Sequence, residues 1–173
     1  MYSADYEAAL TWIADRHAGQ RRRVSQIPYW VHLVHVARIL AAHGYDEPVQ
    51  IAGLFHDLLE DTCRSDAEAE ALADAIEARF GARVRRAVCE ATEAKRDAAG
   101  GRLPWRARKE AFLAQLEAAG ADGLAVVTAD KLHNVASLRG DLETHGEAVW
   151  ARFHAGAEAS LWFYREVARI AAA

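Results

Sequence analysis

The chain has 173 residues, a formal net charge of −4 from 21 Lys+Arg against 25 Asp+Glu, and 52% apolar side chains; one domain of that size builds its core without disulfide or metal staples. The start MYSADYEAAL lacks a signal-peptide pattern, no apolar run reaches about 18 residues, and the charge is not that of a polycation, so secretion, membrane spanning and nucleic-acid binding are not expected. The cysteines, Cys63 and Cys89, are too few for a disulfide framework and fit a reducing, cytoplasmic setting, while 39 alanines against 11 glycines and 3 prolines favour helix throughout.

In chain order, Ser3 N-caps a first helix that places Tyr6, Leu10 and Ile13 at helical spacing. GQRRRVSQI, Gly19 to Ile27, is a polar, basic loop. Pro28 opens a second helix that runs to His43 and stops at Gly44. PVQIAGLFHDLL, Pro48 to Leu59, is apolar nearly all round and is the central, most buried helix. Ala67–Phe80, closed by Gly81, and Ala82 to about Thr92 follow, the latter presenting Val84, Ala87, Val88 and Ala91 on one face. Lys95–Pro104 is a Gly/Pro-rich loop. Helices over Trp105–Ala119, Ala121–Leu138 and about Glu147–Ala172 complete the chain; Asp122 is placed to cap the second of these, Gly140 and Gly146 to break the chain after it, and the aromatic last one to pack on the bundle in preference to walling a pocket. GLAVVTA also has the composition of a short strand, but it leads into DKLHNVASL at helical spacing. With no repeat or linker, about seven helices joined by short loops make a single all-α bundle over 1–173.

Four ionisable residues, His56, Asp57, Glu60 and Asp61, fall within the most apolar helix, where Leu54, Phe55, Leu58 and Leu59 bracket the first two. Unpaired buried charge costs several kcal/mol, so such groups pair or hold a metal. Glu60 is at i+4 from His56 and Asp61 at i+4 from Asp57, which puts the quartet on one side of a helix. His32 and His35, at i+3, share a face of the second helix, and Asp130 follows the apolar run LAVV, with His133 and Asn134 beyond it. Segments bearing His, His-Asp and Asp fit a metal with two imidazole and two carboxylate ligands, a set suited to Mn²⁺, Fe²⁺ or Zn²⁺ rather than Ca²⁺. Without CxxC spacing a thiolate zinc site is not expected.

The order His32, His56-Asp57, Asp130 resembles the H…HD…D signature of the HD-domain metal phosphohydrolases. HAGQRRR, PYWVHLVHVARIL, IAGLFHDLLEDT, FGARVRRAVCEATEAK and TADKLHNVASL resemble, in order from about Tyr6 to Leu138, the hydrolase domain of RelA/SpoT-type alarmone enzymes and their small stand-alone versions. The resemblance is looser at Leu33, at Thr128 and in the loop SQIPY, and the C-terminal aromatic stretch, about 147–172, falls outside it.

The resemblance implies an HD-domain helical bundle in which His32, His56, Asp57 and Asp130 hold one divalent metal, Mn²⁺ in preference to Fe²⁺ or Zn²⁺. No histidine lies between His56 and His133, which argues against the two-metal variants. It makes Glu60 and Asp61 the carboxylates that position or activate water, Arg22 and Arg23 the phosphate-binding pair, and Thr92, Lys95 and Asn134 nucleotide-pocket residues; His35 is left to support or packing. The implied activity is removal of the 3′-diphosphate from guanosine 3′-diphosphate 5′-di- or triphosphate, giving GDP or GTP and pyrophosphate, a degradative part of the stringent response. The alternatives are an HD hydrolase of another nucleotide and a catalytically silent nucleotide-sensing domain. The expected partner is a small nucleotide, with no nucleic acid or membrane and the oligomeric state open.

Overall fold

The computed structural model describes residues 3–95, 101, 103–153 and 155–173. Among these are nine α-helices and one 3₁₀ helix: α1 Ala4–Arg16, α2 Trp30–Ala42, α3 Glu47–Phe55, α4 Leu58–Thr62, α5 Asp66–Phe80, α6 Ala82–Ala91, α7 Trp105–Glu117, α8 Ala121–His145, the 3₁₀ helix Gly146–Arg152 and α9 Gly156–Ala171. No strand occurs among the described residues; Arg21 and Pro28 form an isolated antiparallel bridge. No helix is long and apolar enough to cross a membrane among these residues.

Local chemistry sets most helix ends. The Ser3 hydroxyl accepts the Tyr6 N–H, and Ser65 accepts the Glu68 N–H while the Glu68 carboxylate reaches back to the Arg64 N–H. Gly81, at φ +92°, turns the chain between α5 and α6 in a conformation L side chains rarely adopt. Helix α3 is the centre: every residue from Ile51 to Phe55 is buried, and α2, α6, α1 and α8 pack round it. One core runs from Ile13 on α1 through Leu54, Ile76 and Leu116 to Val167 on α9. The inward face of α6 is Val84, Ala87, Val88 and Ala91.

Five local expectations are corrected. Helix α2 starts at Trp30 rather than Pro28: Pro28 is held in the bridge to Arg21, and the Val31 and His32 N–H groups close a tight turn on the Pro28 and Tyr29 carbonyls at 3.2 and 2.9 Å. The helix expected over 48–59 breaks at His56–Asp57. The Gly53 carbonyl, which residue 57 would use in a continuous helix, accepts the His56 Nδ1–H at 2.8 Å, and the ladder resumes with the Asp61 N–H on the Asp57 carbonyl. Helix α8 continues through Gly140 for 25 residues; buried Leu138 and the packing of the 3₁₀ helix on α8 outweigh a glycine cost of about 1 kcal/mol. Asp122 does not cap α8, since its carboxylate receives the Arg83 guanidinium at 2.7 and 3.1 Å. The terminal helix divides into the 3₁₀ helix and α9, with Gly156 at φ +73° at the junction. The loop expected over 95–104 lies largely outside the described residues, at 96–100 and 102.

Candidate metal centre

Three helices converge on one point. α2 presents His32, α8 presents Asp130, and the break between α3 and α4 presents His56 and Asp57. His32, His56 and Asp130 are buried, and one ligand atom from each lies within 4.8 Å of the others. His32 Nε2 is 3.1 Å from Asp130 Oδ1 and 3.9 Å from Asp57 Oδ2; His56 Nε2 is 3.0 Å from Asp57 Oδ2 and 3.6 Å from Asp130 Oδ1. Ligand atoms about 2.1 Å from one ion, at tetrahedral or octahedral angles, stand about 3.0–3.4 Å apart.

Both imidazoles are oriented from behind. His56 Nδ1 donates to the Gly53 carbonyl, and His32 Nδ1 meets His133 Nδ1 at 2.8 Å. In each ring this leaves Nε2 as the atom aimed at the carboxylates, the arrangement by which proteins fix metal-binding histidines. His56 Nε2 is buried without a hydrogen-bond partner. An orphaned imidazole nitrogen facing two carboxylates fits a divalent cation in chemistry and spacing.

The electrostatics call for a cation at the same point. Burial depresses the His56 imidazolium, but Asp57 and Asp130 overcome it and hold that group well above its ordinary range. Burial would push the Asp57 carboxyl up, yet His56 holds it well below the carboxylate range. Asp130 is likewise held down against burial by the Lys131 ammonium, 2.5 Å from its Oδ2, and then by His56. His32 is pushed down by burial, and His133 falls to about 4 through burial and the neighbouring His32 and Arg22. These two rings therefore meet as neutral imidazoles.

The other candidate residues fall into two groups. A cleft of about 470 Å³ in front of the cluster is lined by Arg22, Arg23, Asp57, Glu60, Asp61 and Asn134. The Arg22 guanidinium donates to Asn134 Oδ1 at 3.1 Å, and Asn134 Nδ2 donates to Asp130 Oδ1 at 2.5 Å. Burial and then the Asp57 charge raise both the Glu60 and Asp61 carboxyls. Thr92 and Lys95 line a neighbouring cavity of about 360 Å³ instead, which shares Glu60 with the first. Lys95 Nζ donates to the Glu60 carbonyl at 2.7 Å and lies 3.5 Å from its Oε1. His35 stacks on His133 at 4.9 Å, outside the converging set.

The cleft also holds residues with no role assigned from sequence: Gln20, Tyr29, Lys109, Arg152, Phe153 and Tyr164. The strings HAGQRRR and PYWVH marked the first two without distinguishing them from their neighbours. Lys109 carried no such signal; it is drawn in by the buried Glu93 carboxylate and sits 4.4 Å from the Phe163 ring centre. Arg152, Phe153 and Tyr164 make the C-terminal segment a cleft wall, while Phe163, Val167 and Ile170 pack it on the core. Leu33 lies fully buried in the core, and Thr128 bonds the Leu124 carbonyl, so neither departure reaches the cleft.

Comparison with known proteins gives the family and the fold. Residues 9–159 match the family described as HD domain. The mouse guanosine-3′,5′-bis(diphosphate) 3′-pyrophosphohydrolase MESH1 is 35% identical over 133 residues, 75% of this chain and 67% of that protein. Among solved structures, lmo0812 of Listeria monocytogenes EGD-e superposes with a TM-score of 0.67 at 34% identity, over 81% of this chain and 82% of that one. A metazoan ortholog of SpoT that hydrolyzes ppGpp superposes with a TM-score of 0.67 at 24% identity, covering 98% and 95% of the two chains, a likeness of fold.

Proposed function

The chain belongs to the HD-domain family, and from that premise we propose that it is a metal-dependent phosphohydrolase removing the 3′-diphosphate of guanosine 3′,5′-bis(diphosphate), yielding GDP and pyrophosphate, or GTP from the 5′-triphosphate form. The observation that carries this reading is the convergence of two imidazoles and two carboxylates behind a cleft that Arg22 and Arg23 also line. The similarity to MESH1, whose name states this reaction, supports the substrate. We place the enzyme in the cytoplasm, in the degradative arm of a stringent response.

His32, His56, Asp57 and Asp130 hold the metal, Mn²⁺ by preference. A divalent ion held by these residues would supply positive charge for the phosphate and lower the pKa of a bound water towards neutrality. Glu60 and Asp61 accept the proton of the attacking water and orient it, a role suited to carboxyls raised by burial. Arg22 offers a planar fork of donors to a diphosphate, and Arg23 lines the same cleft. Asn134 ties Arg22 to Asp130, linking phosphate contact to the metal ligands. Thr92 and Lys95, across Glu60, receive the nucleoside.

The test is incubation of the purified, Mn²⁺-loaded protein with a nucleotide panel. Pyrophosphate release from guanosine 3′,5′-bis(diphosphate), with GDP as co-product, is expected. Turnover confined to a nucleotide without a 3′-diphosphate would overturn the substrate, and turnover of none would overturn the enzyme.

A further inference from the structure

We propose that the segment from His17 to Tyr29 is a positioning clamp, in which Tyr29 sets the Asp57 carboxylate, the His17–Gln20 pair sets Asp61, and one buried imidazole locks both. This rests on reading the cleft as a phosphohydrolase site.

The segment folds back on itself. The Tyr29 N–H bonds the Gln20 carbonyl at 2.9 Å, the Arg22 N–H bonds the Ile27 carbonyl at 3.0 Å, and Arg21 bridges Pro28. Gln20 and Tyr29 are therefore neighbours at the base of a closed loop, and both side chains line the cleft. The Tyr29 hydroxyl donates to Asp57 Oδ2 at 2.6 Å, the same oxygen that faces His56 Nε2 at 3.0 Å. Burial and then the Asp57 and Asp61 charges push the phenol pKa upward, so this hydroxyl stays a donor. Gln20 Nε2 donates to Asp61 Oδ2 at 2.8 Å.

His17 underlies both contacts. Its Nδ1–H donates to Gln20 Oε1 at 2.5 Å, which turns the amide so that its NH₂ faces Asp61. Its ring stacks on Tyr29, centroids 5.3 Å apart and planes 28° apart. Its other nitrogen, Nε2, is buried without a hydrogen-bond partner. An unsatisfied buried polar atom costs about 1–3 kcal/mol, and a leucine would fill the space without that cost. The feature the imidazole has and a leucine lacks is the Nδ1–H that fixes Gln20.

The clamp has a different readout at each carboxylate. Tyr29→Phe keeps the ring and its stacking but deletes the hydroxyl on Asp57; supporting partners of this kind are worth about 10–100-fold in metal affinity, so the Mn²⁺ dissociation constant is expected to rise by that factor. Gln20→Met removes the amide at similar volume; losing one hydrogen bond to a charged group should lower kcat about tenfold or more with KM and Mn²⁺ affinity unchanged. His17→Leu should show both effects, and His17→Asn, which places an N–H where Nδ1 donates, should recover the kcat portion. A merely structural role predicts the opposite pattern: lower Tm in all four variants, with metal affinity and kcat of the folded fraction at wild-type values, and that result would overturn the clamp. If the wild type turns over no nucleotide, the functional reading falls separately. The clamp is then judged by Mn²⁺ titration alone, and unchanged affinity in both Tyr29→Phe and His17→Leu overturns it.

Discussion

At the scale of single residues, the aspartate of the HD dipeptide and the glutamate three residues on have different proposed work. Asp57 Oδ2 faces His56 Nε2 and takes the Tyr29 hydroxyl, which suits the proposed role of metal ligand. Glu60 lies in the cleft, its carboxyl raised by burial and by Asp57 and lowered again by Lys95. Asp57→Ala is therefore expected to abolish metal binding in a titration. Glu60→Gln should bind metal as the wild type does and lose about 10²–10⁴-fold in kcat, the usual worth of a general base; wild-type turnover by Glu60→Gln would remove it from the mechanism. The convergence of His32, His56, Asp57 and Asp130 was legible in the sequence as a candidate set, because charged and polar groups flanked by apolar residues are costly unless they pair or hold a metal. Which of His32 and His35 points inward was not readable from their i+3 spacing. That is settled by the rotation of α2 against α3 and α8, which leaves His35 exposed and stacked on His133.

At the scale of elements, α8 delivers Asp130 to the centre, and its placement depends on Gly123. A Cβ there would lie 2.6 Å from the Glu90 Cβ on α6, so α6 and α8 would have to separate. Overpacking of this kind costs about 1–3 kcal/mol, against a helix-propensity gain for alanine of about 1 kcal/mol at most. Gly123→Ala should lower Tm by several degrees at about 2–4 °C per kcal/mol, and should weaken metal binding as Asp130 shifts with the helix. An unchanged Tm would show that α6 yields freely. Helix starts were legible where a side chain closes the first turn, as at Ser3 and Ser65. The break at 56–57 was not, because it depends on His56 taking the Gly53 carbonyl, a rotamer choice fixed by the tertiary cluster. The continuity of α8 through Gly140 likewise reflects packing against the 3₁₀ helix rather than local preference.

At the scale of the whole molecule, the proposed metal centre would join α2, α3, α4 and α8, and an ion bound there would add to the fold's stability. The buried carboxylates of Asp57 and Asp130 face two imidazoles, with Lys131 against Asp130, and together the two carboxylates hold the His56 imidazolium well above its ordinary range. Chelation with EDTA should lower Tm and Mn²⁺ should restore it. At free metal 100-fold above its dissociation constant the stabilisation is about 2.7 kcal/mol, or about 5–10 °C in a chain of this size. An identical Tm with and without chelator would exclude a metal centre.

By itself the sequence determined the helical class, most helix positions and the residues rich enough in chemistry to form a site. These follow from local propensity, periodicity and the cost of burying charge, all of which act within a few turns of chain. The tertiary structure decided which groups meet. Arg22 reaches Asn134 across 112 positions, Gln20 reaches Asp61 across 41, and Thr92 and Lys95 fall on the far side of Glu60 from the arginines. It also brought Tyr29, Lys109 and Tyr164 to the cleft. Those encounters depend on how helices rotate and cross in space, which no periodicity along the chain encodes.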